Sequence, residues 1–160
     1  YLWNAFLENY LGEDGLFGGR CTDDREIING LMKICTALHY FPNVSLRNKE
    51  GVIDVCLNLA GPRHACDIYN EVTVLAHCMT RSNYRRTEVH GKLNTLCGEM
   101  KNYYHEGYGG FSFFRNSAQS FIYGDRVSFG FREPDIQATT LFLQSIEIIQ
   151  ATFKEQEPYG

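Results

Sequence analysis

Residues 65–79, ACDIYNEVTVLAHCM, give the clearest indication of the fold. Its apolar residues occupy several faces of a helix, a pattern typical of a helix that is buried on all sides. The tetrapeptide Asp67-Ile68-Tyr69-Asn70 near its start has similar counterparts at Glu26-Ile27-Ile28-Asn29 and at Asp135-Ile136-Gln137-Ala138. The first two tetrapeptides lie 41 residues apart, a spacing typical of a helical-hairpin repeat. The sequence therefore predicts repeated helix hairpins and an all-α fold.

Hydrophobic periodicity predicts six helices in all, over residues 1–11, 22–39, 45–59, 65–79, 87–104 and 134–153. The second, fourth and sixth are apolar on most sides, whereas the others carry one apolar stripe. This alternation predicts an inner and an outer layer. Residues 1–153 form one predicted domain, and the tail at 154–160 is expected to fray.

The segment from Glu106 to Arg132 is the least helical part of the chain. It contains five glycines, and its aromatic residues fall on period-two spacing between Phe111 and Phe131. This pattern predicts a β-hairpin or an extended, packed loop. Long ordered loops in compact domains are often functional, so we expect the segment to take part in binding.

Composition excludes some classes of function. The net charge of −4 gives no basic surface for nucleic acid. No apolar run reaches the roughly 20 residues that span a bilayer. Six widely spaced cysteines predict buried free thiols in a reducing, cytoplasmic compartment, with a disulfide framework as the alternative. The chain opens inside a predicted helix without methionine, so we expect it to be part of a longer protein.

Two glycine-rich loops lie between outer and inner helices, Asp14-Gly15-Leu16-Phe17-Gly18-Gly19 and Glu106-Gly107-Tyr108-Gly109-Gly110-Phe111. They resemble the repeats of the terpenoid cyclase and protein prenyltransferase superfamily, whose fold is an α/α toroid. The resemblance implies three helical hairpins, about half of a six-hairpin toroid. It also implies a cavity for an isoprenoid or carbohydrate ligand, with the rest of a toroid or a partner domain as neighbour.

The chain departs from that family at its catalytic motifs. Prenyltransferases hold zinc with an Asp-x-Cys pair and a histidine, whereas this chain has Cys66-Asp67 in the reverse order and Ala138 in place of the histidine. The acid motif Asp-x-Asp-Asp of the cyclases is incomplete at Asp23-Asp24, where its first aspartate is missing. The resemblance therefore implies a scaffold without a complete catalytic apparatus, and we expect no cofactor and no bound zinc.

Two polar clusters allow two interpretations each. Asp23, Asp24 and Glu26 suit a general acid or a metal, but carboxylates at a helix start also cap its free N–H groups. His64, Cys66 and Asp67 form a compact cluster that suits a metal, or a Cys66–His64 nucleophile pair. The alternative for this cluster is a purely structural role at the start of a helix.

We predict a ligand site where the inner-helix starts meet the aromatic loop. Its members are Asp24, Asp67, Arg132, Asp135, Tyr108, Tyr123 and Arg126. The alternative is that the loop only covers the core, with its aromatic rings turned inward. Two classes of function follow from the sequence: a toroid-like domain with an isoprenoid or carbohydrate cavity, or a non-catalytic helical module that binds a partner protein or glycan.

Overall fold

The computed structural model describes Ala5 and residues 23–40, 46, 48–61, 63–80 and 82–154. This part of the chain is mostly helical, which confirms a predominantly α fold. Its α-helices are α1 (Asp24–Leu38), α2 (Lys49–Asn58), α3 (Ala65–Met79), α4 (Arg86–Met100) and α5 (Ile136–Lys154). Apart from Ala5, the predicted helix at 1–11 and the loop at 14–19 lie outside the described residues. No described helix has the length and apolarity needed to cross a membrane.

Side-chain caps set the starts of α1, α2 and α3, whereas α4 has no side-chain cap. The Asp23 carboxylate accepts a hydrogen bond from the Arg25 N–H at 2.9 Å, so α1 begins at Asp24. The Asn48 side chain accepts from Gly51 N–H, which starts α2 at Lys49 rather than at the predicted residue 45. Among the described helices, only α3 begins and ends at the residues that the sequence predicts, 65 and 79.

Helix α3 lies at the centre of the described residues and contacts the other four helices. Its most extensive contacts are with α1 and α5, which flank it, while α2 and α4 also contact each other. The helices predicted as inner are thus neighbours. The expectation that all three are buried on every side is wrong for α1 and α5. Helix α1 exposes a polar face, and α5 exposes Ile136 and Leu143, whereas α3 buries even Glu71.

Helix α4 has the predicted single apolar face, formed by Val89, Leu93, Leu96 and Met100. It ends at Met100 rather than at Tyr104, because the next turn, Lys101–Tyr103, tightens into a 3₁₀ helix. The tighter turn rotates Tyr103 into the core, where its hydroxyl donates to the Arg63 carbonyl at 2.6 Å. Tyr104, which the sequence pattern placed on the apolar face, is about half exposed.

The segment between α4 and α5 contains two short antiparallel hairpins, in agreement with the predicted extended structure. Strands β1 (Tyr104–His105) and β2 (Gly110–Phe111) form the first, and β3 (Phe121–Ile122) and β4 (Asp125–Arg126) form the second. The second hairpin turns at Tyr123 and Gly124, with φ angles of 51° and 93°. Positive φ at both central residues is the signature of a type I′ turn.

A charged network is buried between α3 and α4. Glu71 is 0% exposed, and its Oε2 accepts from Arg63 Nε at 2.8 Å. Lys92 Nζ lies 3.0 Å from Glu71 Oε1. The two groups form an ion pair, but their alignment is not that of a hydrogen bond. Both cations also donate to the Leu59 carbonyl. The network therefore ties the loop before α3 to two helices.

Candidate functional site

A cavity of about 670 Å³ lies between the second hairpin and the start of α5. We call it the hairpin cavity. Its apolar lining comes from Ile122, Val127, Phe129, Pro134 and Ile136, and its polar lining from Gln119, Ser128, Glu133, Asp135 and Gln137. An apolar hollow with a few polar groups is the usual form of a small-molecule site.

Asp135 holds this region together. Its Oδ2 accepts from the backbone N–H groups of Phe113 and Gln119 at 2.8 and 3.3 Å, and its Oδ1 accepts from Ala138 N–H at 2.7 Å. The last bond is an N-cap, which explains why α5 begins after Asp135 and not at Pro134. With three donors on its carboxylate, Asp135 has the structural role that a carboxylate at a helix start commonly has.

Two glutamine amides of the hairpin cavity have unused acceptors. The side-chain oxygens Oε1 of Gln119 and Gln137 are buried and accept no hydrogen bond within the described part of the chain. The orientation of the Gln119 amide is set by its Nε2, which donates to the Phe121 carbonyl at 3.0 Å. A buried acceptor left without a donor costs on the order of 1–3 kcal/mol, so each oxygen favours a donor brought by a ligand.

A second cavity, of about 510 Å³, lies at the starts of α1 and α3, and we call it the helix-start cavity. Its lining includes Arg25, Glu26, Asn29, Met32, Lys33, His64, Cys66, Asp67, Tyr69, Asn70, Tyr123 and Leu141. The two cavities are neighbours. Gln137, which lines the hairpin cavity, contacts Cys66, which lines the helix-start cavity, with Nε2 3.9 Å from the sulfur. At the tip of the second hairpin, Ile122 lines the hairpin cavity and Tyr123 lines the helix-start cavity.

His64 and Asp67 are engaged in a capping box at the start of α3. The Asp67 carboxylate accepts from His64 N–H at 3.0 Å, and His64 Nδ1 accepts from Asp67 N–H at 3.4 Å. The His64 ring also stacks on Phe113, with centroids 4.8 Å apart. Within the described ranges, no three His, Cys, Asp or Glu side chains come together in a way that holds a metal ion. These contacts give the cluster a structural role.

Cys66 lacks the activation that a nucleophile requires. Burial raises the pKa of its thiol, and the carboxylates of Asp67 and Asp135 raise it further. A reactive cysteine needs the opposite, an electropositive surrounding that favours the thiolate. Of the six cysteines, the five that the structure describes are free thiols. Cys35, Cys56 and Cys78 are buried, as predicted, whereas Cys66 and Cys97 are only partly buried.

The predicted site residues are only partly brought together. Asp67 and Tyr123 line the helix-start cavity and Asp135 lines the hairpin cavity. Asp24 lies exposed in the first turn of α1, although Arg25 and Glu26 beside it line the helix-start cavity. The remaining three are exposed and line neither cavity: Tyr108 in the first hairpin, Arg126, and Arg132 before α5.

The aromatic loop divides into two parts with different roles. Phe113 and Ala118 are buried, and Phe111 packs against Phe142 of α5, so the first part covers the core. The second part exposes its rings: Phe121, Tyr123, Phe129 and Phe131 are all more than half exposed. The Arg126 guanidinium lies over the Phe129 ring, 4.6 Å from its centroid. The expectation of an inward-turned plug thus describes only the first part.

No family model, no curated protein and no solved structure matches this chain. The two cavities and their lining residues are therefore the basis for assigning a function.

Proposed function

We propose that this chain is a non-catalytic module that binds a carbohydrate ligand in the hairpin cavity. The observation that carries the proposal is the pair of unpaired acceptors, Gln119 Oε1 and Gln137 Oε1, on residues that line a largely apolar hollow. Both oxygens are buried in the free chain, so a ligand reaches them only after neighbouring side chains move. A sugar offers hydroxyl donors on its edges and C–H surface on its faces. It therefore complements both the amide oxygens and the rings and aliphatic side chains around them.

The same groups disfavour an isoprenoid, the other ligand that the family resemblance implies. A hydrocarbon chain would fill the hollow but leave both acceptors unpaired, so it would gain no binding energy from them. A diphosphate head group would meet the carboxylates of Glu133 and Asp135, which line the same cavity. Electrostatic repulsion at that position opposes an anionic ligand.

The proposal is non-catalytic because the Asp135 carboxylate is engaged in backbone hydrogen bonds and the Cys66 thiol is not activated. Asp135 accepts three backbone hydrogen bonds, and the pKa of the Cys66 thiol is raised. The toroid-like arrangement of hairpins is part of this proposal. It is supported by the extensive contacts of α3 with both α1 and α5.

A second candidate, binding of a partner protein, is favoured by the exposed rings of Tyr123, Phe129 and Phe131 together with Ile136. Contiguous exposed apolar surface often marks a protein interface. Binding of a partner protein to these rings does not use the two amide acceptors, so we rank this candidate second. A partner that binds these rings would bind equally well to variants that lack the amides.

Calorimetric titration with short oligosaccharides tests the proposal. The probes are the disaccharides of β-1,4-linked glucose, xylose and N-acetylglucosamine, with a farnesyl diphosphate titration as the comparison. The informative variant is Gln137→Leu, and Gln144→Leu, at an exposed position of the same helix, is its matched control.

We expect one of the sugars to bind, and Gln137→Leu to lower its affinity on the order of tenfold. Because this substitution also removes a buried unpaired acceptor, the melting temperature should stay the same or rise. Gln144→Leu should change neither quantity. Binding of farnesyl diphosphate but of no sugar, or sugar binding that Gln137→Leu leaves unchanged, would contradict the proposal.

A further inference from the structure

We infer that the ligand is a neutral oligosaccharide that extends from the hairpin cavity into the helix-start cavity, where Tyr123 provides a stacking surface. This inference rests on the proposed function and adds the length and charge class of the ligand.

The two cavities meet along a shared wall. Consecutive residues at the hairpin tip line different cavities, Ile122 the first and Tyr123 the second. On the helical side, Gln137 and Cys66 are in contact, and they too belong to different cavities. A chain-like ligand whose hydroxyls reach Gln137 thus has the helix-start cavity directly beside it. A single sugar ring would occupy only one of the two.

Tyr123 is an unusual residue for its position in the second hairpin, whose two-residue turn requires a positive φ there. Its φ of 51° is in the left-handed region, where a bulky residue costs roughly 1–2 kcal/mol more than glycine. Type I′ turns normally place Asn, Asp or Gly there. The ring is fully exposed, so burial within the chain does not offset this cost. A ring at the mouth of the helix-start cavity is instead available to stack on a sugar face.

The charges of the second lining favour a neutral ligand. Arg25 and Lys33 are balanced by Glu26 and Asp67, and Asn29 and Asn70 add amides. Donors and acceptors are therefore both present, without an excess of either sign. Hydroxyl groups, which donate and accept, fit such a lining better than a carboxylate or sulfate does.

The test compares oligosaccharides of increasing length, because the inference, unlike the proposed function alone, predicts that affinity depends on length. The probes contain two, four and six units of β-1,4-linked glucose, xylose or N-acetylglucosamine, with α-1,4-linked galacturonate as the anionic comparison. The variant is Tyr123→Asn, which installs a residue that type I′ turns favour, so the fold should be at least as stable as in the parent chain. Tyr108→Asn, at an exposed residue in the turn of the first hairpin, is the matched control.

We expect affinity for one neutral series of oligosaccharides to rise from two to six units. Tyr123→Asn should lower the affinity for the six-unit probe about three- to tenfold and leave that for the two-unit probe unchanged. The Tyr108→Asn control should bind both probes as the parent chain does. Equal affinity for short and long probes, or a preference for galacturonate, would overturn the inference while the proposed function stood. Failure of every probe at every length would overturn both.

Discussion

The buried network around Glu71 makes the sharpest prediction about stability. Glu71→Gln keeps the size of the side chain but removes its negative charge. The Arg63 guanidinium and the Lys92 ammonium would then face a neutral amide, with side chains only 8% and 15% exposed. Burial alone would lower the pKa of Arg63, but the pKa is raised because the hydrogen bond and charge of Glu71, followed by the charges of Glu99 and Asp67, together outweigh burial. The network thus depends on the carboxylate.

Removing one partner from a buried ion pair costs about 3–5 kcal/mol, because the charge left behind is neither solvated nor paired. Domains of this size have unfolding free energies of about 5–15 kcal/mol, so the loss is a large share of the total. A change of that size lowers the melting temperature of a domain of 150–250 residues by roughly 6–20 °C. We therefore expect Glu71→Gln to fold only marginally at 37 °C.

The assay is urea unfolding followed by circular dichroism, with Glu147→Gln as the matched control. Glu147 lies exposed on α5, and a surface change of this kind is expected to stay within about 0.5 kcal/mol. Adding Lys92→Met to Glu71→Gln should restore part of the loss, since it removes the ammonium that paired with Glu71, whereas Arg63 keeps its contact with the Glu99 carboxylate at 3.5 Å. A loss below 1 kcal/mol for Glu71→Gln, or no recovery in the double variant, would refute the argument.

Three further predictions concern packing, pH and thiol reactivity. Gly110→Ala places a methyl group 2.9 Å from Pro134 Cβ and should destabilise by roughly 1–3 kcal/mol in urea unfolding, whereas Gly107→Ala, which meets no atom within 4 Å, should not. Burial, and secondly a nearby arginine, lowers the pKa of His90 below 6.5. The contribution of His90 to stability should therefore be complete above pH 6.5 and be lost as the pH falls through the lowered pKa. His90→Asn should make the free energy of unfolding less dependent on pH in unfolding curves between pH 5 and 8. Burial raises the pKa of Cys78 to about 12, so mass spectrometry should find it unmodified by iodoacetamide in the native chain and alkylated in urea, and equal labelling in both would contradict its burial.

Sequence patterns predicted the helices well where caps and breakers agree with periodicity. The segment at 65–79 has both predicted ends, because its start is fixed by the His64–Asp67 capping box. The last helix begins later than predicted, because Asp135 caps it from the position after Pro134. The burial of Tyr103 in place of Tyr104 depends on a 3₁₀ turn, and the helical pattern continued through that turn without a break.

The candidate site was harder to predict, because its members carry no motif. Acidic helix starts were a visible signal, yet Asp67 and Asp135 are engaged in caps. Gln119 and Gln137 were not predicted as ligand residues, since a lone glutamine has no characteristic spacing. Their unused acceptors become visible only when the hairpin is folded against α5. Tyr123 was predicted, but its positive φ depends on the hairpin register.

The most direct test of the central claim is a crystal structure of the chain with the six-unit oligosaccharide that binds most tightly. We predict sugar hydroxyls within about 3.2 Å of Gln119 Oε1 and Gln137 Oε1, the distance range of a hydrogen bond. We also predict that a sugar ring of the same oligosaccharide packs against Tyr123. A sugar bound elsewhere on the surface, with both amide oxygens still unpaired, would contradict it.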